Sequence, residues 1–224
     1  MLLIISLVFV LILLSFGSYV YIEITYNKYQ KNKIKSNLSG FEISRNILDN
    51  YDLNNVYITE TNEYLFSKYD FNRKVVRFVK NVFNGENITS TAISSFETSY
   101  AILDKKNDKL YELRKKIMPI INILLISSYI IILIGLLFGH MNTLLSGVII
   151  AYLILIFYIL TYNIEKKVKK IALKELITNR IITKKERANI EKVLNVASLN
   201  NIASVIFPLA ELLKKIIDFG KSNR

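Results

Sequence analysis

The 224-residue chain has no cysteine and no tryptophan, a single histidine (His140), two prolines and seven glycines. Without cysteine there can be no disulfide scaffold, no thiolate zinc site and no cysteine nucleophile. One histidine excludes any multi-histidine metal site, and leaves a Ser-His-Asp arrangement only if His140 supplies it. What the chain has in excess is apolar and basic. Hydrophobic residues make up 52%, above the roughly 45–50% of an ordinary soluble domain. Mean hydropathy is +0.32, and 30 Lys and Arg face 18 Asp and Glu for a net charge of +12. In a soluble protein that charge would point to nucleic acid. No recognition motif accompanies it here, so no nucleic-acid partner is expected.

The apolar residues are clustered. Met1 to Ile22 carries no charge until Glu23, about the ~20 residues that cross a ~30 Å hydrocarbon core. The stretch lacks the basic start, short apolar centre and small-residue cleavage site of a signal peptide, so an uncleaved anchor is expected. Ile117 to Ile164 is a second charge-free stretch, of 48 residues, interrupted by Gly139-His140-Met141-Asn142-Thr143. That is too long for one span and suits two, at about 117–138 and 144–162. Val193 to Ala210 is weaker, since it carries Asn195, Asn200, Asn201 and Pro208; it reads as a fourth span or an interfacial helix. Of the 30 basic residues, 27–116 hold 16, 163–195 hold 10, 211–224 hold 4 and the turn at 139–143 holds none. Basic residues stay on the cytoplasmic side, so the N-terminus and the His140 turn are expected outside and both polar segments inside. A fourth crossing would carry Lys214, Lys215, Lys221 and Arg224 outside, against that rule. The lysines also suit anionic headgroups of the bilayer. Gly135 and Gly139 fit small-residue helix packing.

Within 27–116, Ser39-Gly40-Phe41-Glu42 has capping-box spacing and predicts a helix over about 40–50, with Phe41, Ile43, Ile47 and Leu48 at helical intervals. Val56-Tyr57-Ile58-Thr59 and Val75-Val76-Arg77-Phe78-Val79 read as strands, and Lys68 to Lys74 as the turn between them, giving a hairpin. From Asn87 the pattern is helical through Ile88, Ala92, Phe96 and Tyr100. Thr183 and Glu186 repeat the capping box and open another helix. The expected fold is a predominantly α integral membrane protein of three to four transmembrane helices with a small α+β cytosolic domain. Its parts are an anchor (1–26), the cytosolic domain (27–116), a transmembrane hairpin (117–162), a cytosolic helical segment (163–195) and a C-terminal membrane or interfacial helix with its tail (196–224).

The order of these features resembles the YugP-type family of bacterial membrane zinc metallopeptidases over about 190 residues. The residues that carry the resemblance are the anchor, Ser39-Gly40 opening a helix that ends Ile47-Leu48-Asp49, a Tyr69-Asp70 turn before Val75-Val76-Arg77, the spacing of Arg114, Pro119 and Asn122, the hydrophobic hairpin and a downstream glutamate. The family motif is His-Glu-x-x-His, two histidines one turn apart that bind zinc with a glutamate base between them. The corresponding residues here are Phe96-Glu97-Thr98-Ser99-Tyr100. The resemblance puts Glu97 at the general base, Phe96 and Tyr100 at the two histidine ligands, and Glu165 at the third ligand, although the proline expected before that glutamate is absent. It also implies a bacterial plasma membrane location.

Phe96 has no lone pair to offer, and Tyr100 would have to lose a proton of pKa ~10 to ligate well. One carboxylate of three ligands does not make a zinc site, so no cofactor is expected, and His140 falls on the other side of the membrane. The leading expectation is a non-catalytic pseudo-peptidase that binds peptides or a membrane partner. If Glu97 and Glu165 face each other, one should be protonated unless a cation intervenes, either Arg114 or a hard ion such as Mg²⁺ or Ca²⁺. Simpler roles stay open: Phe96 and Tyr100 as an aromatic pair on a buried face, Glu97 as a solvated helix residue, and Glu165 as a partner of Lys166, Lys167, Lys169 and Lys170. Two other functions stay open as well. One is a peptidase working through an altered metal or through Glu97 and Glu165 alone. The other is a membrane scaffold or small channel component; the 48-residue run holds no ionisable residue but His140, which disfavours transport.

Overall fold

The computed structural model describes residues 2–61 and 67–203. The chain divides into two compact units, one of residues 22–115 with 162–198, the other of residues 1–21, 116–161 and 199–224. The first unit is therefore discontinuous: the two polar stretches that look separate in the sequence share one core.

That core is built around helix α4 (Ile88–Lys105), whose residues from Ile88 to Asp104 are all buried. Asn87 caps its start, the side-chain oxygen accepting from the Ser90 N–H at 2.9 Å. The helix is rich in serine and threonine, small enough to let neighbouring elements approach closely, and their hydroxyls find partners within the core. Ser94, Ser95 and Ser99 donate to carbonyls of their own helix, and Ser44 pairs with Thr98 at 2.7 Å. A buried hydroxyl left without a partner would destabilise the fold. Around α4 pack helix α2 (Gly40–Asp49), helix α7 (Tyr162–Thr178) and helix α8 (Lys184–Ala197). Both expected capping boxes are formed, Ser39 with Glu42 at α2 and Thr183 with Glu186 at α8. Gly40 is required where α2 starts: a Cβ there would lie 2.1 Å from the Val82 carbonyl oxygen. Helix α7 buries Ile164, Val168, Ala172 and Leu176, one residue per turn, and leaves Lys166, Lys170 and Lys174 exposed.

The sheet departs from the expected hairpin. Strand β1 (Tyr57–Thr61) runs parallel to β3 (Val75–Val79), Tyr57 opposite Val75, and β2 (Lys68–Asp70) pairs antiparallel on the other edge of β3. The hairpin thus joins β2 to β3 through residues 71–74, and Tyr69 and Asp70 belong to a strand rather than to the turn. The reason lies in composition. Val75-Val76-Arg77-Phe78-Val79 is the most strand-prone run and takes the central place, with Val76 and Phe78 buried, while β1 is an exposed edge. A three-residue β2 rich in polar side chains gives no strand signal of its own. Helix α3 (Lys80–Phe83) connects the sheet to α4.

In the other unit, helices α5 (Lys109–Leu137) and α6 (Met141–Leu160) are long and apolar enough to cross a membrane. Helix α5 starts well before the apolar run, and the turn is tighter than expected, with Gly139 at φ +67. A Cβ on Gly135 would come 2.5 Å from the Leu144 nitrogen, and one on Gly147 2.9 Å from the Ser128 carbonyl. Gly135 therefore serves close packing within the α5–α6 hairpin. Helix α1 (Leu2–Gln30) begins in this unit and ends in the other.

The apolar run from Val193 begins within helix α8. Helix α8 ends at Ala197 with Val193, Leu194, Val196 and Ala197 buried in the discontinuous unit, and a short helix α9 (Asn200–Ala203) follows. Capping at Thr183 fixes the phase of α8, so these apolar residues face α4. Residues 204–210, with Pro208, lie outside the described residues, as do Lys214, Lys215, Lys221 and Arg224.

Candidate functional site

The site residues come from three helices and a strand of the discontinuous unit. Phe96, Glu97 and Tyr100 lie on α4, Arg114 near the start of α5 and Glu165 in the first turn of α7. The fold gathers them although 65 positions separate Tyr100 from Glu165. Phe96 meets Tyr100 edge to face, with ring centroids 5.6 Å apart at 88°. Tyr111 lies beside Tyr100 at 5.8 Å. The Tyr100 hydroxyl donates to Glu165 Oε2, and Arg114 Nη1 donates to Glu165 Oε1 at 2.6 Å. Glu97 turns toward β2, where its Oε2 accepts the Tyr69 backbone N–H at 3.1 Å. All of these groups are buried, Glu97 being 5% and Glu165 2% exposed. Neither carboxylate is a solvated surface group, and Glu165 points inward rather than at the exposed lysines that follow it.

Burial and the facing Glu165 carboxylate raise the Glu97 pKa to about 8, opposed by the Tyr69 N–H, Arg114 and Lys68. Burial likewise pushes Tyr100 well above the usual tyrosine range, reinforced by Glu165. Glu97 is thus largely protonated at neutral pH, and Tyr100 is a hydrogen-bond donor.

This donor set does not fit zinc. A zinc site needs three or four lone pairs from deprotonated ligands. Phe96 contributes none, Tyr100 spends its hydroxyl proton on Glu165, and both Glu165 oxygens already accept hydrogen bonds. Glu97 holds its proton through neutral pH. Among the described residues no group of three His, Asp or Glu side chains is placed to hold a metal ion. His140 lies in the other unit, exposed, at the start of α6.

Two further participants, Tyr69 and Asp104, are not among the expected site residues. Tyr69 supplies its backbone N–H to Glu97 and its hydroxyl to Asp104 Oδ2 at 2.8 Å. Asp104, two turns beyond Glu97 on α4, also accepts Lys74 Nζ at 2.5 Å and Lys115 Nζ. The spacing of Glu97 and Asp104 on one helix was the available hint; that β2 would bridge them depends on a strand pairing invisible in sequence.

The chain belongs to the family described as "Putative neutral zinc metallopeptidase", which it matches over residues 3–219. It is similar to the "Putative membrane protease YugP" of Bacillus subtilis (strain 168), at 28% identity over 206 residues, covering 92% of each chain. No solved structure matches it.

Proposed function

We propose that this chain is a non-catalytic member of its family, a membrane-anchored pseudo-peptidase that binds peptides or a membrane partner without cutting them. The observation that supports this reading most directly is the donor set itself: Phe96 and Tyr100 stand where the family motif has histidines, and Glu165 is engaged by Tyr100 and Arg114. With Phe96 in the position the family motif gives to histidine, no group here would lower the pKa of a water from about 15.7 toward 7. Relic roles follow for Glu97 as former base and Glu165 as former ligand. Helices α1, α5 and α6 are the membrane anchor in this reading, with the N-terminus and the His140 turn outside and the polar unit in the cytoplasm of a bacterial cell. Connectivity supports that arrangement: α1 ends in the discontinuous unit, α5 starts in it and α7 follows α6 into it. That unit carries 25 of the 30 basic residues, consistent with retention on the cytoplasmic side next to anionic headgroups.

The test is metal content of the detergent-purified protein by elemental analysis, alongside the double variant Phe96→His with Tyr100→His. The expected result is no zinc in the native protein and about one per chain in the variant, the usual stoichiometry of a three-ligand site. Stoichiometric zinc in the native protein overturns the proposal.

A second reading is favoured by one observation. Glu97, with its pKa raised to about 8 beside Glu165, has the protonation of a metal-free acid. Paired carboxylates with separated pKa values do carry out acid/base work. Peptide cleavage insensitive to chelators and lost in Glu97→Gln would establish it.

A further inference from the structure

On the far side of Tyr69 from Glu97, α4 and the α2–β1 connection enclose a cavity of about 610 Å³. Its lining includes the buried Leu53, Val56 and Ala101, three lysines, Lys74, Lys105 and Lys115, and three acids, Asp52, Asp104 and Glu112. The formal charges cancel, so the character of the cavity is set by which groups are already engaged. Asp104 is engaged on both oxygens: Oδ1 accepts Lys115, and Oδ2 accepts Lys74 and the Tyr69 hydroxyl. Glu112 pairs with Lys115, and Asp52 stands exposed at the rim, where water screens it. Lys115 is engaged by both Asp104 and Glu112, whereas Lys74 and Lys105 keep donors to spare. An ammonium has three N–H groups, and among the described residues Lys74 engages Asp104 alone, with its side chain 44% exposed. Lys105 uses one N–H on the Tyr51 carbonyl. Asn54, Asn55 and Asn107 add amides along the same wall.

The backbone supports a placed cation. Lys74 sits at φ +52 as the last residue of the β2–β3 turn, a left-handed conformation in which glycine or asparagine is the usual occupant. A long charged side chain held there is the kind of outlier from which a functional hypothesis legitimately starts. We propose that this cavity is a carboxylate-recognition site, in which Lys74 receives the carboxylate of a bound peptide. The identification of the ligand as a peptide rests on the pseudo-peptidase reading; the carboxylate preference rests on Lys74 alone.

The experiment is calorimetric titration of the full chain in detergent with three probes: a short apolar peptide with a free C-terminal carboxylate, the same peptide amidated, and an amidated version bearing one acidic side chain. The free acid is expected to bind at least about tenfold more tightly than the plain amide, the scale of one lost charge-assisted hydrogen bond. Lys74→Ala should erase that preference, with Lys74→Arg retaining it and Lys31→Ala, outside the cavity, changing nothing. Recovery of binding by the acidic side chain identifies it as the carboxylate source; binding by the free acid alone identifies the chain terminus. Equal binding of acid and amide, or no binding of any probe, overturns the proposal. Because these readouts need neither zinc nor turnover, they stand apart from the metal measurement: zinc in the native protein with a preserved acid preference would sink the pseudo-peptidase reading and leave this site.

Discussion

Glu97 and Asp104 are two buried carboxylates on one helix, seven residues apart and linked through Tyr69, yet the protein treats them in opposite ways. Both lose water. At Asp104 the penalty of burial is outweighed by hydrogen bonds from Lys115, Lys74 and Tyr69, and its pKa lies below the ordinary aspartate value. At Glu97 burial is reinforced by Glu165, and one backbone N–H with a shared arginine does not compensate. The difference teaches that burial alone does not decide ionisation; the number of donors that arrive with it does. Asp104 has two ammonium groups bonded to it, whereas Glu97 accepts one backbone N–H and feels Arg114 and Lys68 only through space.

Breaking the arginine should disturb the pair most. Arg114→Ala leaves Glu165 and Glu97 buried together without a cation, and is expected to cost about 3–5 kcal/mol, as for other buried pairs that lose one partner. A thermal midpoint of the detergent-solubilised variant within a degree or two of wild type would show that Glu165 is not held as described.

The comparison sharpens with pH. Between about 4.5 and 8 the folded chain keeps a proton on Glu97 that the unfolded chain gives up, so this group's stabilisation is full at the acid end of that window and is lost as pH rises to about 8. Asp104 acts the other way: its stabilisation is present above the ordinary value of 3.8 and is lost as pH falls through its lowered pKa. Chemical unfolding measured across pH should therefore show the neutral slope flattened in Glu97→Gln and the acid limb flattened in Asp104→Asn. Identical profiles for the two variants would contradict the assignment.

The smallest effect is expected at neutral pH in Asp104→Asn itself. Its lysines reach solvent, Lys74 especially, so their charges can rehydrate, and the loss should be about 1–2 kcal/mol, a few net hydrogen bonds. A much larger loss would mean that the β2 edge detaches from α4.

Much of this was legible in the sequence. Capping residues at Ser39 and Thr183 declared two helices, and charge-free runs declared α5 and α6, because caps and hydropathy are local signals. The positions of Phe96, Glu97, Tyr100, Arg114 and Glu165 came from resemblance to a family pattern. Strand order was not legible. The parallel pairing of β1 with β3 depends on where β2 inserts, and three residues carry too little periodicity to announce it. Asp104 and Lys74 escaped for the same reason, since their meeting is a product of that sheet. The end of α8 misled because Val193 to Ala197, apolar enough for lipid, are instead spent on the core.

The discontinuity of the polar unit also has a consequence for synthesis. Tyr100 and Arg114 leave the ribosome before residues 116–161, and Glu165 only after them. At about 5–20 residues per second, the nascent domain waits roughly 2–9 seconds for the carboxylate that completes its core. During that interval α4 lacks α7 and α8, and Arg114 lacks its Glu165. Closure of the cluster thus comes only after both apolar helices have been made and the chain has returned.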